Sequence, residues 1–239
     1  MVRGSVNSIE TMGLVDGPGI RTVIFLNSCL LRCKYCHNPE TWKMGNKNMT
    51  VDDLVQKVLR SKPYFKNNGG VTFSGGEPLL QYEFLLECCK RLKKENIHIA
   101  IDTAGYTPNN CEELLKYVDL VLLDIKHTTK DGFKSLTGGN KDIQDKFIEQ
   151  LNKSGKKVWI RQVIVPGIMD NDEYLYNLNK TIKNIKNVER IDFLPYHKLG
   201  KEKYITMGIN YPLENILEMS KEEANKLYNK FMKIYKKED

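Results

Sequence analysis

Three of the six cysteines in this 239-residue chain lie within eight positions, as Cys29, Cys33 and Cys36. In a reducing compartment, so tight a group of thiols usually holds metal or does redox chemistry. The spacing would also form one stripe on a helix, but Pro39 and the polar neighbours favour a loop. Structural zinc needs a fourth ligand, and His37 is a poor candidate because zinc ligands usually come in separated pairs. We therefore expect an iron–sulfur cluster held by three cysteines, with one iron left open.

The overall composition points to a soluble chain without nucleic-acid chemistry. The net charge of +7 comes from 37 Lys and Arg against 30 Asp and Glu, and the lysines are spread along predicted helices. A nucleic-acid surface would need basic residues gathered with stacking aromatics, which the sequence lacks. The lysines are expected to form a solvated surface, and a positive rim that attracts an acidic protein partner is the alternative. Since no apolar run approaches about 18 residues and the N-terminus lacks a secretory signal, we expect a cytoplasmic protein with one domain over residues 1–239.

Apolar, β-branched runs alternate with segments of helical periodicity along the chain. The predicted strands are residues 22–26, 70–73, 97–101, 120–125, 158–165 and 191–194. The predicted helices are residues 51–59 (capped by Thr50 with Asp53), 81–95, 111–117, 141–153, 172–186 and 221–235. Repeated strand–helix units predict an α/β fold with a parallel sheet, and six units are too few for a closed eight-stranded barrel. We expect a partial, laterally open (βα)6 TIM-like barrel, with residues 198–215 as a long loop.

Polar or glycine-rich residues follow each predicted strand. They are Asn27–Cys29, Ser74–Glu77, Asp102–Thr103, Asp124 with Lys126, Pro166–Gly167 and Pro195–His197. Because the carboxyl ends of parallel strands meet at one edge of a sheet, these residues are predicted to converge on one site.

Several motifs together resemble a known family. The stretch from Cys29 to Cys36, with Tyr35 before the third cysteine, fits CxxxCxφC, in which φ is aromatic, and this resembles the signature of the radical S-adenosylmethionine superfamily. Further segments resemble its glycyl-radical-enzyme activating enzymes, at residues 16–21 (DGPGIR), 74–81, 101–105, 119–126, 157–167 and 194–204. The resemblance implies a [4Fe-4S] cluster whose open iron binds S-adenosylmethionine. It also implies reductive cleavage of that molecule and removal of a hydrogen atom from a partner's glycine, which leaves a glycyl radical.

The resemblance also assigns roles to individual residues. It implies that the cluster-bearing Cys29, Cys33 and Cys36 are the catalytic centre. It implies cofactor contacts for Tyr35, Cys36, His37, Gly75, Gly76, Glu77, Asp124, Ile125, Lys126, Arg161 and His197. Asp102, Thr103 and Asp124 are expected to hold a monovalent cation, or else to act as caps and ion-pair partners. Arg161 is expected to pair with the cofactor carboxylate or with a buried acid, and Asp16 and Arg21 to seat the partner peptide. Cys88, Cys89 and Cys111 are expected to be packing residues.

Partners follow from the same resemblance. Many activating enzymes for other glycyl radical enzymes carry a cysteine-rich insert after the third cysteine, whereas residues 39–69 contain no cysteine, which favours pyruvate formate-lyase or a close relative as the partner. A flavodoxin or ferredoxin is the expected electron donor. The chain departs from the family at Ser28, where glycine is usual, and at Ala104, which is asparagine in some relatives. Two alternatives remain at this point: a radical enzyme acting on a small molecule or nucleobase, and a metal-bearing nucleic-acid module.

Overall fold

The computed structural model of the protein describes residues 2–236, and a mostly parallel sheet lies at its centre. The strands are β1 (Arg3–Gly4), β2 (Val6–Gly13), β3 (Arg21–Leu26), β4 (Met49–Thr50), β5 (Gly70–Gly75), β6 (His98–Thr103), β7 (Leu120–Asp124), β8 (Lys157–Ile164) and β9 (Val188–Pro195). In the central sheet the order is β2-β3-β5-β6-β7-β8-β9, and β1 pairs with β4 separately. Strands β3 and β5 to β9 are parallel, whereas β2 runs antiparallel to β3.

Helices follow the parallel strands. They are α1 (Val51–Phe65), α2 (Tyr82–Lys94), α3 (Glu112–Leu115), α4 (Lys130–Thr137), α5 (Lys141–Ser154), α6 (Asp172–Lys183), α7 (Lys201–Thr206) and α8 (Lys221–Tyr235), with 3-10 helices at Pro39–Trp42 and Pro78–Gln81. Helix α1 shows why these segments are helical. Thr50 and Asp53 form a capping box at its start, and Leu54, Val55 and Val58 are buried on one face.

The sheet forms a partial barrel because its two edge strands, β2 and β9, are not paired with each other within residues 2–236. The side of each strand that faces the helices is apolar, as with Ile99 and Ile101 in the main core. The opposite side carries a separate small cluster of Ala100, Leu120 and Leu122 packed with Trp159. The predicted α/β fold with a laterally open (βα)6 barrel is therefore confirmed.

The six predicted strands and six predicted helices are all present, with ends shifted by a few residues. The prediction of a loop over residues 198–215 was wrong at α7, since this short helix depends on packing of its buried Tyr204 rather than on a periodic pattern. The short strands β1 and β4, the edge strand β2, helix α4 and the two 3-10 helices were not predicted. No helix within residues 2–236 is long and apolar enough to cross a membrane. The expectation of one domain stays a prediction, and Met1 and residues 237–239 lie outside the described residues.

Candidate active site

The three cysteines lie on a loop that begins where β3 ends. The N–H groups of Ser28 and Cys29 donate hydrogen bonds to the carbonyl oxygens of Thr41 (2.7 Å) and Trp42 (3.1 Å). Ser28 adopts a φ of +83°, in the left-handed region that favours glycine, as its replacement of the family's glycine suggested. The start of the loop is thus fixed by the 3-10 helix that follows it in sequence.

The second half of the cysteine loop is held by the end of α4. The N–H groups of Arg32 and Lys34 donate to the carbonyl oxygens of Thr137 (2.7 Å) and Leu136 (2.9 Å). These two carbonyls can accept hydrogen bonds from the loop because the last turn of a helix leaves its carbonyl groups without intrahelical donors. Helix α4, which the sequence pattern did not reveal, therefore positions the loop that carries the thiols.

Burial changes the chemistry of the three thiols. It is the main cause that raises the pKa of Cys29 to about 12 and of Cys33 to about 11, and it also raises the pKa of Cys36. A metal cluster binds the thiolate form, so metal binding must displace these protons. Positive iron would offset the cost of burying three negative sulfurs in one place.

The thiols share a cavity of about 480 Å³ with the carboxyl ends of the sheet strands. The lining includes most of the residues predicted to converge, together with a smaller number that were not predicted. The predicted ones are Cys29, Cys33, Tyr35, Cys36, His37, Ser74, Gly75, Gly76, Glu77, Asp102, Thr103, Asp124, Lys126, Arg161, Pro195 and His197. Residues from both ends of the chain thus meet in one cavity, as parallel topology requires.

Two glycines at the end of β5 allow the close approach of two backbones. Gly75 has a φ of +107°, and a Cβ atom on Gly76 would lie 2.3 Å from the carbonyl oxygen of Ser28. That same carbonyl accepts a hydrogen bond from the Glu77 N–H at 2.7 Å. Any larger residue at position 76 would push the cysteine loop away from the sheet.

Glu77 braces the neighbouring strand end. Its fully buried carboxyl group accepts hydrogen bonds from the Thr103 hydroxyl and from the N–H groups of Leu79, Ala104 and Tyr106. Burial raises the pKa of Glu77 to about 7, although the four donors act in the opposite direction. The side chain predicted to contact the cofactor thus fixes the turn after β6, which lines the cavity.

An acid–base cluster lies at the wall of the cavity. Asp102 accepts hydrogen bonds from the Ser74 hydroxyl (2.8 Å) and from Arg161 (3.2 Å), and Arg161 also lies 3.7 Å from Asp16. Of the two partners expected for Arg161, the structure shows the buried acid. The second oxygen of Asp102, Oδ1, is buried and has no hydrogen-bond partner among the described residues. Burial raises the pKa of Asp102, while the Arg161 charge lowers it.

A second charged pair lies one strand further along. Lys126 Nζ is 2.8 Å from Asp124 Oδ2 and 5.7 Å from the centre of the Tyr35 ring. Burial opposes the ammonium charge, but Asp124 holds the pKa of Lys126 well above its usual value. Because Tyr35 belongs to the cysteine loop, this cation connects the loop to the end of β7.

Two histidines close the cavity on the β9 side. The rings of His37 and His197 stack with their centres 4.1 Å apart, and His37 Nε2 donates to the His197 carbonyl oxygen at 3.2 Å. Burial, followed by the neighbouring His197, lowers the pKa of His37. His197 Nδ1 is buried and has no partner within residues 2–236. It is therefore available to a ligand.

Several predicted residues lie elsewhere. Ile125 is buried in the main core and does not line the cavity. Arg21 is fully buried at the opposite end of β3, where it donates to Thr72 and to main-chain carbonyls, so its guanidinium does not face the site. Pro166 lines a separate cavity with Leu217 and Leu227. Asp16 approaches the site only through Arg161.

The cavity also contains residues that sequence reasoning missed. They are Asn38, Thr41, Trp42, Ala104, Val163, Leu194 and Lys221. The tryptophan follows the third cysteine by six positions, which was a usable signal, because a short link keeps it near the loop. The lysine at the start of α8 gave no such signal, since only the fold brings it near.

The site fits an iron–sulfur cluster and a polar ligand. Three thiols supply sulfur ligands, and two buried polar atoms without protein partners, Asp102 Oδ1 and His197 Nδ1, belong to cavity-lining residues. Buried polar atoms are usually satisfied in native proteins, and a polar molecule bound in the cavity would supply partners for these two.

Comparison with known proteins agrees with this geometry. The Radical SAM superfamily matches residues 23–178 of the chain. A crystal structure of Streptococcus suis SuiB bound to precursor peptide SuiA shares the fold, with a TM-score of 0.65, 21% identity, and coverage of 90% of this chain and 46% of that one. Fold and site together define a radical SAM protein, and the superfamily implies a [4Fe-4S] cluster and S-adenosylmethionine.

Relatives of higher sequence identity show which family within the superfamily the chain belongs to. The "Pyruvate formate-lyase-activating enzyme" of Clostridium pasteurianum is 54% identical over 235 residues, covering 98% of each chain. The Staphylococcus epidermidis protein of the same name is 45% identical over 238 residues, covering 95% of each. The chain therefore belongs to the pyruvate formate-lyase-activating enzyme family within the radical SAM superfamily. The expectation of an enzyme, rather than a nucleic-acid module, is confirmed.

Proposed function

We propose that the chain activates pyruvate formate-lyase, or a closely related glycyl radical enzyme, by converting one glycine of that partner into a glycyl radical. The observation that carries the proposal is a single cavity lined by Cys29, Cys33 and Cys36 and by the ends of the parallel strands. Near-full-length similarity to activating enzymes from two genera supports the choice of partner.

The three cysteines would hold the [4Fe-4S] cluster and leave one iron for S-adenosylmethionine. When bound, the cluster and S-adenosylmethionine supply reductive cleavage of the C5′–S bond and abstraction of a glycine hydrogen atom. The protein's own contribution is to bind and orient. Asp102 Oδ1 and His197 Nδ1 are free to hydrogen-bond the ligand, and Gly76 lets the cysteine loop lie against the sheet. The remaining proposed contacts are Tyr35, His37, Gly75, Glu77, Asp124, Lys126 and Arg161, all of which line the cavity.

A monovalent cation would bind beside Asp102 and Asp124. Asp102 and Asp124 lie near the carboxyl ends of the adjacent strands β6 and β7, and both line the cavity. The Thr103 hydroxyl donates to Glu77 and accepts from the Gly105 N–H, which leaves one lone pair of its oxygen for the cation. Within residues 2–236, no three His, Cys, Asp or Glu side chains converge as ligands of one ion. The proposed cation site therefore consists of two carboxylates, the Thr103 hydroxyl and the cofactor.

The partner's glycine must reach the cavity as an extended segment, and the gap between β2 and β9 offers an entrance. Asp16 would help to seat that segment through its position beside Arg161. Arg21 would act indirectly, since its hydrogen bond to the Pro18 carbonyl orders the Asp16 loop.

Electrons would come from a flavodoxin or ferredoxin in the cytoplasm. Carriers of this kind are generally acidic, and the net charge of +7 favours their approach.

The proposal is tested by incubating anaerobically reconstituted protein with reductant, S-adenosylmethionine and a panel of glycyl radical enzymes. We expect a glycyl doublet in the electron paramagnetic resonance spectrum with pyruvate formate-lyase, and none when Cys33→Ala replaces the wild-type protein. Cleavage of S-adenosylmethionine without a doublet from any member of the panel would refute the proposal and favour a small-molecule substrate.

A further inference from the structure

The cysteine loop, residues 29–36, has an inner and an outer face. Its inner residues are buried, namely Leu31, Cys33 and Tyr35. The residues that alternate with them face outward, since Leu30 is 58% exposed, Arg32 is exposed and Lys34 is half-buried. Such alternation is typical of an extended segment, in which successive side chains lie on opposite sides. We call these three outward residues the outer face, and each of them is the direct chain neighbour of Cys29 or Cys33.

The outer face is held in place by hydrogen bonds. The main-chain N–H groups of Arg32 and Lys34 donate to carbonyl oxygens at the end of α4. The Arg32 guanidinium donates through Nη1 to the carbonyl oxygens of Cys29 (2.6 Å) and Leu31 (2.8 Å). Its guanidinium carbon also lies 4.9 Å from the centre of the Trp42 ring. The charge of Arg32 is therefore already positioned, and a surface that is preorganised in this way loses little side-chain freedom when a partner binds.

Lys43 adds a third positive charge beside the outer face. It is exposed and directly follows Trp42, whose carbonyl oxygen accepts a hydrogen bond from the Cys29 N–H at 3.1 Å. Within residues 2–236, none of the ion pairs involves Arg32, Lys34 or Lys43. The charges of these three residues can therefore attract acidic groups of another molecule.

The acidic residue nearest to Lys43 in the sequence does not cancel this charge. Glu40 lies between the third cysteine and Lys43, and it is paired with Lys203 of α7. Leu30 adds an exposed apolar side chain to the patch. Cations without acidic partners, together with an exposed leucine, complement a protein that presents acidic side chains around an apolar contact.

The position of this patch beside the cysteines bears on the supply of electrons. In the proposed function, the cavity that the cysteines line holds S-adenosylmethionine and the partner's glycine segment. A protein donor must therefore approach the sulfurs from another side, and electron transfer slows steeply as the distance grows. Because the outer face is one residue away from Cys29 and Cys33, a carrier bound there has its redox group close to the cluster.

We propose that the outer face and Lys43 form the docking surface of an acidic one-electron carrier protein. This inference rests on the proposed function, because it requires that the cysteines hold the cluster. One electron passes from the reduced carrier to the cluster, so the carrier is oxidised by one electron and the cluster is reduced by one. No bond is made or broken between the two proteins. Arg32, Lys34 and Lys43 attract the acidic face of the carrier, and Leu30 contacts its apolar centre.

The first test is the rate at which flavodoxin hydroquinone reduces the cluster at low ionic strength, followed by stopped-flow absorbance. The variant Lys34→Glu/Lys43→Glu reverses two charges and keeps Arg32 and the main-chain hydrogen bonds of the loop. We expect its second-order rate constant to fall about tenfold, and the difference from wild type to shrink at high salt, because screening weakens attraction between surface charges. A wild-type rate in a variant with full iron content would overturn the inference.

Two controls separate docking from other effects. Photoreduced 5-deazariboflavin is a small reductant without acidic side chains, so it should reduce the wild-type and variant clusters at equal rates. Lys94→Glu/Lys153→Glu reverses two charges at exposed residues near the ends of α2 and α5, which precede β6 and β8 and so lie at the far end of the sheet from the cavity. This variant should keep the wild-type rate with flavodoxin. An equal loss in both double variants would show that net charge alone sets the rate, and would overturn the docking surface.

A second measurement needs no variant. Carbodiimide treatment of cluster-loaded wild-type protein mixed with flavodoxin joins carboxylates to lysine amines that touch them, and mass spectrometry identifies the linked residues. Lys34 or Lys43 should be among them. Links confined to other lysines overturn the inference. Loss of the Lys34 and Lys43 links when pyruvate formate-lyase is added also overturns it, since this face would then belong to the substrate enzyme.

Failure of the docking surface can be told apart from failure of the proposed function. A wild-type protein that binds no cluster, or that yields no glycyl radical with photoreduced 5-deazariboflavin, overturns the proposed function as well. A protein that yields the radical with this small reductant, but whose flavodoxin rate is unaffected by Lys34→Glu/Lys43→Glu, overturns the docking surface alone.

Discussion

Charge in buried surroundings is the common theme at the scale of single residues. The cysteine thiols, Glu77 and Asp102 all have pKa values raised by burial, and each lines the same cavity. Groups with perturbed pKa values cluster at functional sites, because burying them costs stability that a bound ligand can offset. Asp102 Oδ1 is a further example, because it is buried without a hydrogen-bond partner among the described residues.

Arg21 and His98 lie in contact at the opposite end of the barrel from the cavity, and the effect of this contact on stability can be tested by varying the pH. His98 Nδ1 lies 3.3 Å from Arg21 Nη2, and burial, followed by the Arg21 charge, lowers the pKa of His98, while nearby Asp119 raises it and Lys93 lowers it. A histidine whose pKa is lowered by folding stabilises the protein above its ordinary pKa, about 6.5, and loses that stability at lower pH.

We therefore expect the free energy of unfolding of the metal-free protein to fall as pH drops below about 6.5, partly because of His98. His98→Asn keeps an acceptor oxygen near Arg21 but cannot titrate, so the variant should lose less stability over that range. Urea unfolding at a series of pH values measures both proteins. Parallel pH profiles for the two would show that protonation of His98 is not opposed in the fold.

Residue types and spacing predicted that the three cysteines lie together on one short loop, because so local a feature needs no tertiary information. The family resemblance, in which glycine is usual at this position, predicted strain at Ser28, and its φ is +83°. Residue types and spacing did not predict that Arg21 is fully buried, because an arginine in a glycine-rich segment is usually expected to be exposed. The hydrogen bonds by which Glu77 holds the turn after β6 could not be predicted from sequence either, because their donors follow a different strand from the one that precedes Glu77.

At the scale of elements, the cysteine loop is held by neighbours that are short and lack periodic patterns. Helix α7 is the clearest case, since Lys203 Nζ donates to Asn38 Oδ1 at 2.8 Å and Tyr204 packs against Trp42. The strands were predictable because parallel strands buried on one side carry continuous apolar runs. A six-residue helix gives no comparable signal, since its stability comes from tertiary contacts.

Gly200, just before α7, offers a test of this packing. Its φ of −79° suits any residue, yet a Cβ atom there would lie 2.8 Å from the Cα of His37 and 2.9 Å from the carbonyl oxygen of Cys36. Gly200→Ala should therefore push the cysteine loop outward and cost about 1–3 kcal/mol of stability, as overpacking does. Thermal unfolding of the metal-free protein and iron content after reconstitution measure the effect.

The neighbouring Leu199 supplies the control for Gly200. Its side chain is 78% exposed, so Leu199→Ala should leave both the melting temperature and the iron content near wild-type values. Equal iron content in Gly200→Ala and Leu199→Ala would show that α7 does not position the cysteine loop.

At the scale of the whole molecule, the open sheet determines both where the site forms and from which side it is accessible. The carboxyl ends of six parallel strands converge on the cysteine loop, and within residues 2–236 the edge strands β2 and β9 are not paired with each other. In the proposed function, the partner's segment enters through this open side. Counting strand–helix units predicted this openness, because six units do not close a barrel of eight. The antiparallel edge strand β2 was not predictable, since its mostly exposed residues show no alternation.

The central claim is that three cysteine ligands leave one iron free for S-adenosylmethionine. Its most direct test is electron–nuclear double resonance of the reduced cluster with S-adenosylmethionine carrying ¹⁵N in its methionine amino group. We expect a nitrogen coupling of a size that requires direct coordination to iron. A fully assembled, reduced cluster whose spectrum is unchanged by saturating S-adenosylmethionine, with no nitrogen coupling, would contradict it.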